Sequence, residues 1–180
     1  MGEIGLMFNA MDDETYDIIQ RHIPDFGVLS DEVKQEISSF TWLWSSFEGK
    51  HCGTIAAERN LSNFASRDLV SNMIATEHVV GAWDHFKDRY LTGADAQNRL
   101  DHLMGNIPNR GQTIRQAIST GLGDNANDSE KSIALVLIVY RFRNNLFHGQ
   151  KGRNGFVDQL GNFQHANTLL RLWIEVPPTQ

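Results

Sequence analysis

The sequence predicts an all-α protein, a helical bundle packed around one long apolar helix. Three observations support this fold class. Apolar residues recur at spacings of three and four along several segments, as they do on one face of an α-helix. No segment alternates between apolar and polar residues as a half-buried strand does. Residues 133–140 (IALVLIVY) are apolar on every side, and because a strand here would lack partners, we interpret the run as a buried central helix.

Size and composition indicate one globular domain over residues 1–180. A chain of this length can bury a substantial core, and neither a repeat nor a linker marks a boundary within it. The hydrophobic fraction of 41% and the charged fraction of 21% are ordinary for a folded protein. We therefore expect a single core that all of the helices share.

Two helices are predicted in the first third of the chain. Residues 11–22 form a short, weakly amphipathic helix that Pro24 and Gly27 end. Ser30 is placed to cap a second helix of about five turns. The apolar stripe of this second helix consists of Val33, Ile37, Phe40, Trp44 and Phe47.

Shorter helices are predicted in the middle of the chain. Residues 54–75 allow one or two helices, whose core positions would be Leu61, Phe64, Leu69 and Met73. The next helix stops near Gly93, and its apolar face consists of Val79, Val80, Trp83, Phe86 and Tyr90. Further helices are predicted around residues 100–104 and 114–122, and the turn residues between them predict a loop at 105–111.

The central apolar helix is predicted to be the longest. After a polar loop, Asp128 or Ser129 can cap it, and it runs to about His148, where Gly149 is placed to end it. A last amphipathic helix covers residues 156–174 and stops before two prolines.

Composition excludes several classes of protein. Cys52 is the single cysteine, so neither an internal disulfide nor a cysteine zinc cage can form. The net charge of -6 argues against a general nucleic-acid coat protein. The N-terminus lacks the features of a signal peptide, and the most apolar run is far shorter than the ~20 residues that a membrane helix needs. We therefore expect a cytoplasmic protein with no membrane partner.

One segment contrasts with this acidic background. Residues 131–157 contain no aspartate or glutamate, and within them stands RFRNNLFHG (141–149). On a helix, His148 lies about 140° from Arg143 and about 40° from Asn144, so the three side chains share one polar arc near the helix end. This arc is a candidate anion-binding site.

The residue types in this arc suit RNA chemistry. Arginine presents a planar fork of donors that matches phosphate oxygens, and histidine titrates near neutral pH. Together they can bind an RNA phosphate and move protons at the 2′-hydroxyl or the leaving oxygen without a metal. The competing interpretation, which spacing alone favours, is structural: Arg143 pairs with a carboxylate such as Glu48, and His148 caps the last turn.

The segment RNNLFH (143–148) resembles the signature of the HEPN domain family, in which an arginine and a following polar residue precede a histidine by four to six intervening positions. The resemblance is strongest over residues 140–151 and extends weakly to WLWSSFE (42–48). It implies an all-α bundle that dimerises so that two motifs face one cleft. Many members are endoribonucleases that need no metal and serve as toxins or in defence against phage, so the resemblance implies no cofactor. Within the family, the motif is similar to that of the Apea-like subgroup.

The resemblance also implies roles for individual residues. His148 would be the general acid or base, Arg143 the phosphate clamp and transition-state stabiliser, and Asn144 an orienting hydrogen-bond group. Asn145 points elsewhere on the helix and is interpreted as structural.

The local excess of positive charge suggests supporting roles. Arg141, Lys151 and Arg153 would guide the RNA backbone, the alternative for the last two being a solvated basic loop. Glu48 would orient Arg143, the alternative being an exposed acid at a helix end. The family's toxins that nucleotidyltransferase antitoxins silence carry a tyrosine two residues after the histidine. This chain has Gln150 there, so we do not expect that modification.

The implied partners are an RNA substrate, a second copy of the chain and an antitoxin or defence protein. Two alternatives stay open: a module of the same family that binds RNA or a nucleotide without cutting it, and a helical protein that binds another protein. Neighbouring acids and imidazoles at Glu77-His78 and Asp84-His85 fit no familiar metal-ligand spacing. We interpret them as surface or capping groups and predict no metal site.

Overall fold

The computed structural model describes residues 12–23, 26–53, 55–105, 111–147, 156 and 158–178, and these residues contain helices and turns but no β-strand. The all-α prediction is therefore confirmed. In chain order the α-helices are α1 (Asp13–His22), α2 (Asp31–His51), α3 (Glu58–Ala65), α4 (Asp68–Ser71), α5 (Glu77–Lys87), α6 (Ala96–Met104), α7 (Gly111–Gly121), α8 (Asp128–Phe147) and α9 (Leu160–Glu175). Two 3-10 helices (Phe26–Val28 and Asn72–Ala75) and one short π-helix (Asp88–Thr92) lie between the α-helices.

Helix α8 lies at the centre of the bundle. It contacts α3, α4, α5, α6 and α7, and all six side chains from 134 to 139 are buried. Neighbours on every side explain why the sequence of this helix is apolar all round. Helix α7 packs closest, since a β-carbon added to Gly121 would overlap the backbone oxygen of Glu130. The prediction of a buried central helix is confirmed.

Helices α2 and α9 pack along each other and bring aromatic side chains into the core. The ring centroids of Phe40 and Phe163 are 5.3 Å apart, and those of Phe47 and Trp173 are 5.8 Å apart. The ring centroid of Trp44 lies 6.2 Å from that of Tyr140 of α8. The predicted stripe of α2 therefore faces inward, and it connects α2 to the end of α8.

The starts of the two longest helices are fixed by side chains that accept backbone hydrogen bonds. Ser30 caps α2 as predicted, because its Oγ accepts from the backbone nitrogen of Val33 at 3.3 Å. For α8 the predicted caps, Asp128 and Ser129, were wrong by one residue or more. Asn127 Oδ1 accepts from the nitrogen of Glu130 at 3.0 Å, and the carboxylate of Glu130 accepts from the nitrogen of Asn127 at 2.9 Å. This reciprocal pair is a capping box.

Two predicted core positions face solvent instead. Leu69 is 48% exposed, and its neighbour Val70 is buried in its place. Val80 is 42% exposed, whereas Val79, which was also predicted to face the core, is buried. The last helix begins at Leu160 rather than at 156, although Phe156 is buried. Gly149 and most of the predicted 105–111 loop lie outside the described residues.

None of the described helices combines the length and apolarity that crossing a membrane requires.

Candidate functional site

The predicted site residues fall into three groups, two of which the structure describes. Arg143, Asn144 and Glu48 lie together at the carboxyl end of α8, and Arg141 is buried on another side of the same helix. The third group consists of His148, Lys151 and Arg153, which lie outside the described residues. His148 directly follows Phe147, the last residue of α8, in the sequence.

Arg143 reaches across the bundle to α2. Its Nη2 atom lies 3.8 Å from Glu48 Oε2, near the outer limit of an ion pair. The side chain of Arg143 is 28% exposed and that of Glu48 is 16% exposed. The structure thus brings together the two residues that both sequence interpretations paired, and it leaves the guanidinium accessible to solvent.

Glu48 is held in place by groups other than Arg143. Its Oε2 accepts a hydrogen bond from the indole nitrogen of Trp44 at 2.9 Å, and its Oε1 accepts from the backbone nitrogen of Ala56 at 2.9 Å. Trp44 is buried against Tyr140 of α8. The carboxylate therefore has a fixed position from which it orients Arg143.

The guanidinium of Arg143 keeps donors for a ligand. Nη1 donates to Asn144 Oδ1 at 3.1 Å, and the guanidinium carbon lies 5.4 Å from the centroid of the Phe147 ring. Nε is buried and has no hydrogen-bond partner among the residues that the structure describes, so a ligand would have to bind the terminal nitrogens. An arginine that is oriented by a carboxylate and an amide but not saturated by them suits an anion such as phosphate.

Arg141 does not belong to this site, which corrects the prediction that it contacts RNA. It is 5% exposed, and it donates from Nε to the carbonyl of Leu103 at 3.2 Å and from Nη2 to the carbonyl of Met104 at 2.8 Å. Asn145 accepts from Arg141 at 3.0 Å and donates to Leu103 at 3.0 Å. Arg141 and Asn145 thereby cap the last turn of α6, whose carbonyls have no partner within the helix.

The positively charged residues of segment 131–157, which contains no acidic residue, do not lie together in the structure. Lys131 lies near the opposite end of α8, where it pairs with Asp128 at 4.0 Å and sits over the ring of Trp83. Arg141 is buried. Among the described residues of segment 131–157, Arg143 is therefore the one arginine or lysine at this site. The contrast of charge along the sequence therefore does not correspond to one continuous basic surface among the described residues.

Cys52 follows α2 close to the site but has the character of an apolar side chain. It is 6% exposed, and burial, together with the charge of Glu48, raises the pKa of its thiol to about 11. A thiol with so high a pKa is protonated at neutral pH and is a poor nucleophile. Cys52 is therefore a buried apolar side chain and not a reactive thiol.

Sequence reasoning missed a pair of histidines between α5 and α9. The imidazoles of His85 and His165 stack with their centroids 4.4 Å apart, and His85 Nε2 lies 3.0 Å from the side-chain oxygen of the buried Asn162. His85 is therefore neither a surface nor a capping group, as the sequence had suggested. The two residues are far apart along the chain, so local spacing gave no signal of this contact.

This pair makes the stability of the fold sensitive to pH. Burial lowers the pKa of His85, with Arg89 adding to the effect and Asn162 and Asp88 opposing it. Burial and the neighbouring His85 lower the pKa of His165. Below the ordinary histidine pKa near 6.5, the unfolded chain binds protons that the folded protein does not, so stability falls as pH falls.

We expect the midpoint of thermal unfolding to fall between pH 7.5 and pH 5.5, measured by circular dichroism. In a His165→Phe variant the fall should be smaller, because one titrating ring is removed and the other loses a repulsive neighbour. A midpoint that stays constant or rises on acidification would contradict this reading of the pair.

No group of three or more histidine, cysteine or acidic side chains that could hold a metal ion occurs within the described part of the chain. Comparison of the chain with protein-family models, with curated proteins and with solved structures gives no match. The function is therefore argued from the site itself and from the motif at the end of α8.

Proposed function

We propose that this protein is a metal-independent endoribonuclease of the HEPN type, which cuts RNA through Arg143, Asn144 and His148. The observation that carries the proposal is the state of Arg143. Its guanidinium is partly exposed at the end of α8 and is oriented by Glu48 and Asn144, while its Nη2 atom lies 3.8 Å from the carboxylate, beyond hydrogen-bond distance. This is the preorganised donor that a phosphate-cleaving site requires.

The chemistry is transesterification within the RNA strand. A neutral imidazole of His148 takes the proton of the 2′-hydroxyl, and the 2′-oxygen then attacks the adjacent phosphorus. Arg143 stabilises the charge that develops on the phosphate oxygens. The bond to the 5′-oxygen of the next nucleotide breaks, and that oxygen receives a proton from a charged imidazole. The products are a 2′,3′-cyclic phosphate and a 5′-hydroxyl.

A homodimer supplies both imidazoles in this scheme. In a two-fold symmetric dimer each chain contributes one Arg143 and one His148 to a shared cleft. One histidine then acts as the base and its copy as the acid. The dimer and the role as a toxin or in defence against phage, with an antitoxin or defence protein as a partner, rest on the resemblance of the motif.

The function is tested by comparing RNA and DNA of the same nucleotide sequence as substrates. Purified protein is incubated in EDTA with a labelled single-stranded RNA and with DNA of the same sequence. We expect the RNA to be cut and the DNA to stay intact, because only RNA carries the attacking 2′-hydroxyl. Tight binding of the RNA by the dimer without any cutting would favour the alternative, a non-catalytic binding module.

A further inference from the structure

Phe147 places an exposed aromatic ring beside Arg143. The residue is 51% exposed, and it stands one helical turn after Arg143 on the same side of α8. The guanidinium carbon of Arg143 lies 5.4 Å from the centroid of the ring. Single exposed apolar residues are common on protein surfaces. Phe147 differs from them in having a partly exposed cation against its ring.

We propose that the ring of Phe147 is a stacking platform for an unpaired nucleobase of the RNA whose phosphate Arg143 binds. This inference rests on the proposed ribonuclease function and names its substrate class. Every nucleobase has a flat face that stacks on an aromatic side chain, and arginine binds phosphate oxygens with its donor fork. A base and a phosphate of one nucleotide are joined through a single sugar, so adjacent ring and guanidinium groups suit adjacent parts of one nucleotide.

Stacking on Phe147 selects single-stranded RNA. In a duplex both faces of a base are already covered by its neighbours, and the base edges in the deep groove are out of reach of side chains. An unpaired base in a loop or a tail has a free face. We therefore expect cutting at unpaired positions with little preference among the bases, since stacking tolerates any of them.

The surroundings of the ring suit a nucleotide. Arginine and aromatic residues are also enriched at protein interfaces, so the oligomeric state of a Phe147→Leu variant is the observation that separates RNA from a second copy of the chain. Here the ring is covered in part by a guanidinium, and Asn144, which holds that guanidinium, also lies at the same end of α8. A nucleotide suits this pair of side chains, because its phosphate can bind the guanidinium and its base can stack on the ring.

The experiment measures binding separately from cutting. The probe is a single-stranded RNA oligonucleotide with 2′-O-methyl sugars, which cannot be cut, and with one 2-aminopurine base whose fluorescence falls on stacking. Wild type is compared with Phe147→Leu, which removes the ring but keeps an apolar side chain, and with Phe147→Trp, which keeps a ring. Trp42→Leu is the matched control, because Trp42 is 74% exposed and faces away from Trp44 on α2.

We expect wild type and Phe147→Trp to quench the probe, and Phe147→Leu to quench it little and to bind it about 5- to 100-fold more weakly. Trp42→Leu should behave as wild type. Unchanged binding and quenching by a folded Phe147→Leu would overturn the proposal, as would its conversion from dimer to monomer, which would place the ring in an interface. Because the probe is never cut, a ring-dependent signal supports stacking even if the ribonuclease function fails.

Discussion

Replacing Arg143 with alanine is expected to lower the rate of RNA cutting by about 100- to 1000-fold, as for the loss of one oriented donor at a reacting centre. The fold should survive the change. Glu48 keeps its hydrogen bonds from Trp44 and Ala56, so no carboxylate is left unsatisfied. The measurement is the single-turnover rate on a labelled RNA in EDTA, with circular dichroism to confirm the fold.

Arg143→Lys separates charge from geometry at this position. Lysine keeps the positive charge but lacks the planar fork, so we expect only a partial recovery of the rate. Lys50, an exposed cation of α2 whose ammonium contacts a backbone carbonyl of α9, provides the control, and Lys50→Ala should cut at close to the wild-type rate. A folded Arg143→Ala variant that cuts as fast as wild type would exclude Arg143 from the reaction.

Replacing Arg141 with leucine is expected to lower the free energy of unfolding by about 3 kcal/mol, because buried carbonyls at the end of α6 lose a charged donor. For a chain of this size the unfolding midpoint should fall by roughly 6–12 °C. Urea unfolding followed by circular dichroism measures the change. The effect is on stability, so the surviving folded protein should still cut RNA.

Arg141→Lys tests whether the fork geometry matters in the core. One ammonium cannot reproduce donors that point to the Leu103 and Met104 carbonyls and to Asn145 together, so the variant should lie between leucine and wild type. A leucine variant as stable as wild type that has lost RNA binding would return Arg141 to the RNA-contacting role that the structure argues against.

The fold class and most helices could be predicted because the signals are local. The apolar stripe of α2 repeats every three to four residues, and Ser30 stands directly before it. The apolar run at 133–140 excludes an exposed position for α8 whatever surrounds it. Signals of this kind involve residues close together in the sequence, so they can be recognised without knowledge of the tertiary structure.

Which of Arg141 and Arg143 faces the interior could not be predicted from the local pattern. Residues two positions apart on a helix point about 160° away from each other, so one of the two arginines had to face another neighbour. Residues 133–140 of α8 are apolar on all sides, so they provide no polar face from which the orientation of the helix could be predicted. The one local signal was Asn145, which stands four residues after Arg141 and bonds to it.

Contacts between distant segments account for what the sequence missed. The carbonyls that bind Arg141 belong to α6, and the ring that stacks on His85 belongs to α9. Each depends on which helices pack together, and residue spacing does not report that. The pairing of Glu48 with Arg143 was predicted only because both sequence interpretations needed a carboxylate near the arginine.

The central claim is that the Arg143 guanidinium and the His148 imidazole act on one RNA phosphate without a metal ion. The most direct measurement compares wild type with His148→Ala on mixed cellular RNA in EDTA and identifies the chemical ends of the products. We expect wild type to leave 2′,3′-cyclic phosphates and the variant to cut about 100- to 10,000-fold more slowly. Cutting by a folded His148→Ala at the wild-type rate, or wild-type products with 3′-hydroxyl ends, would contradict the claim.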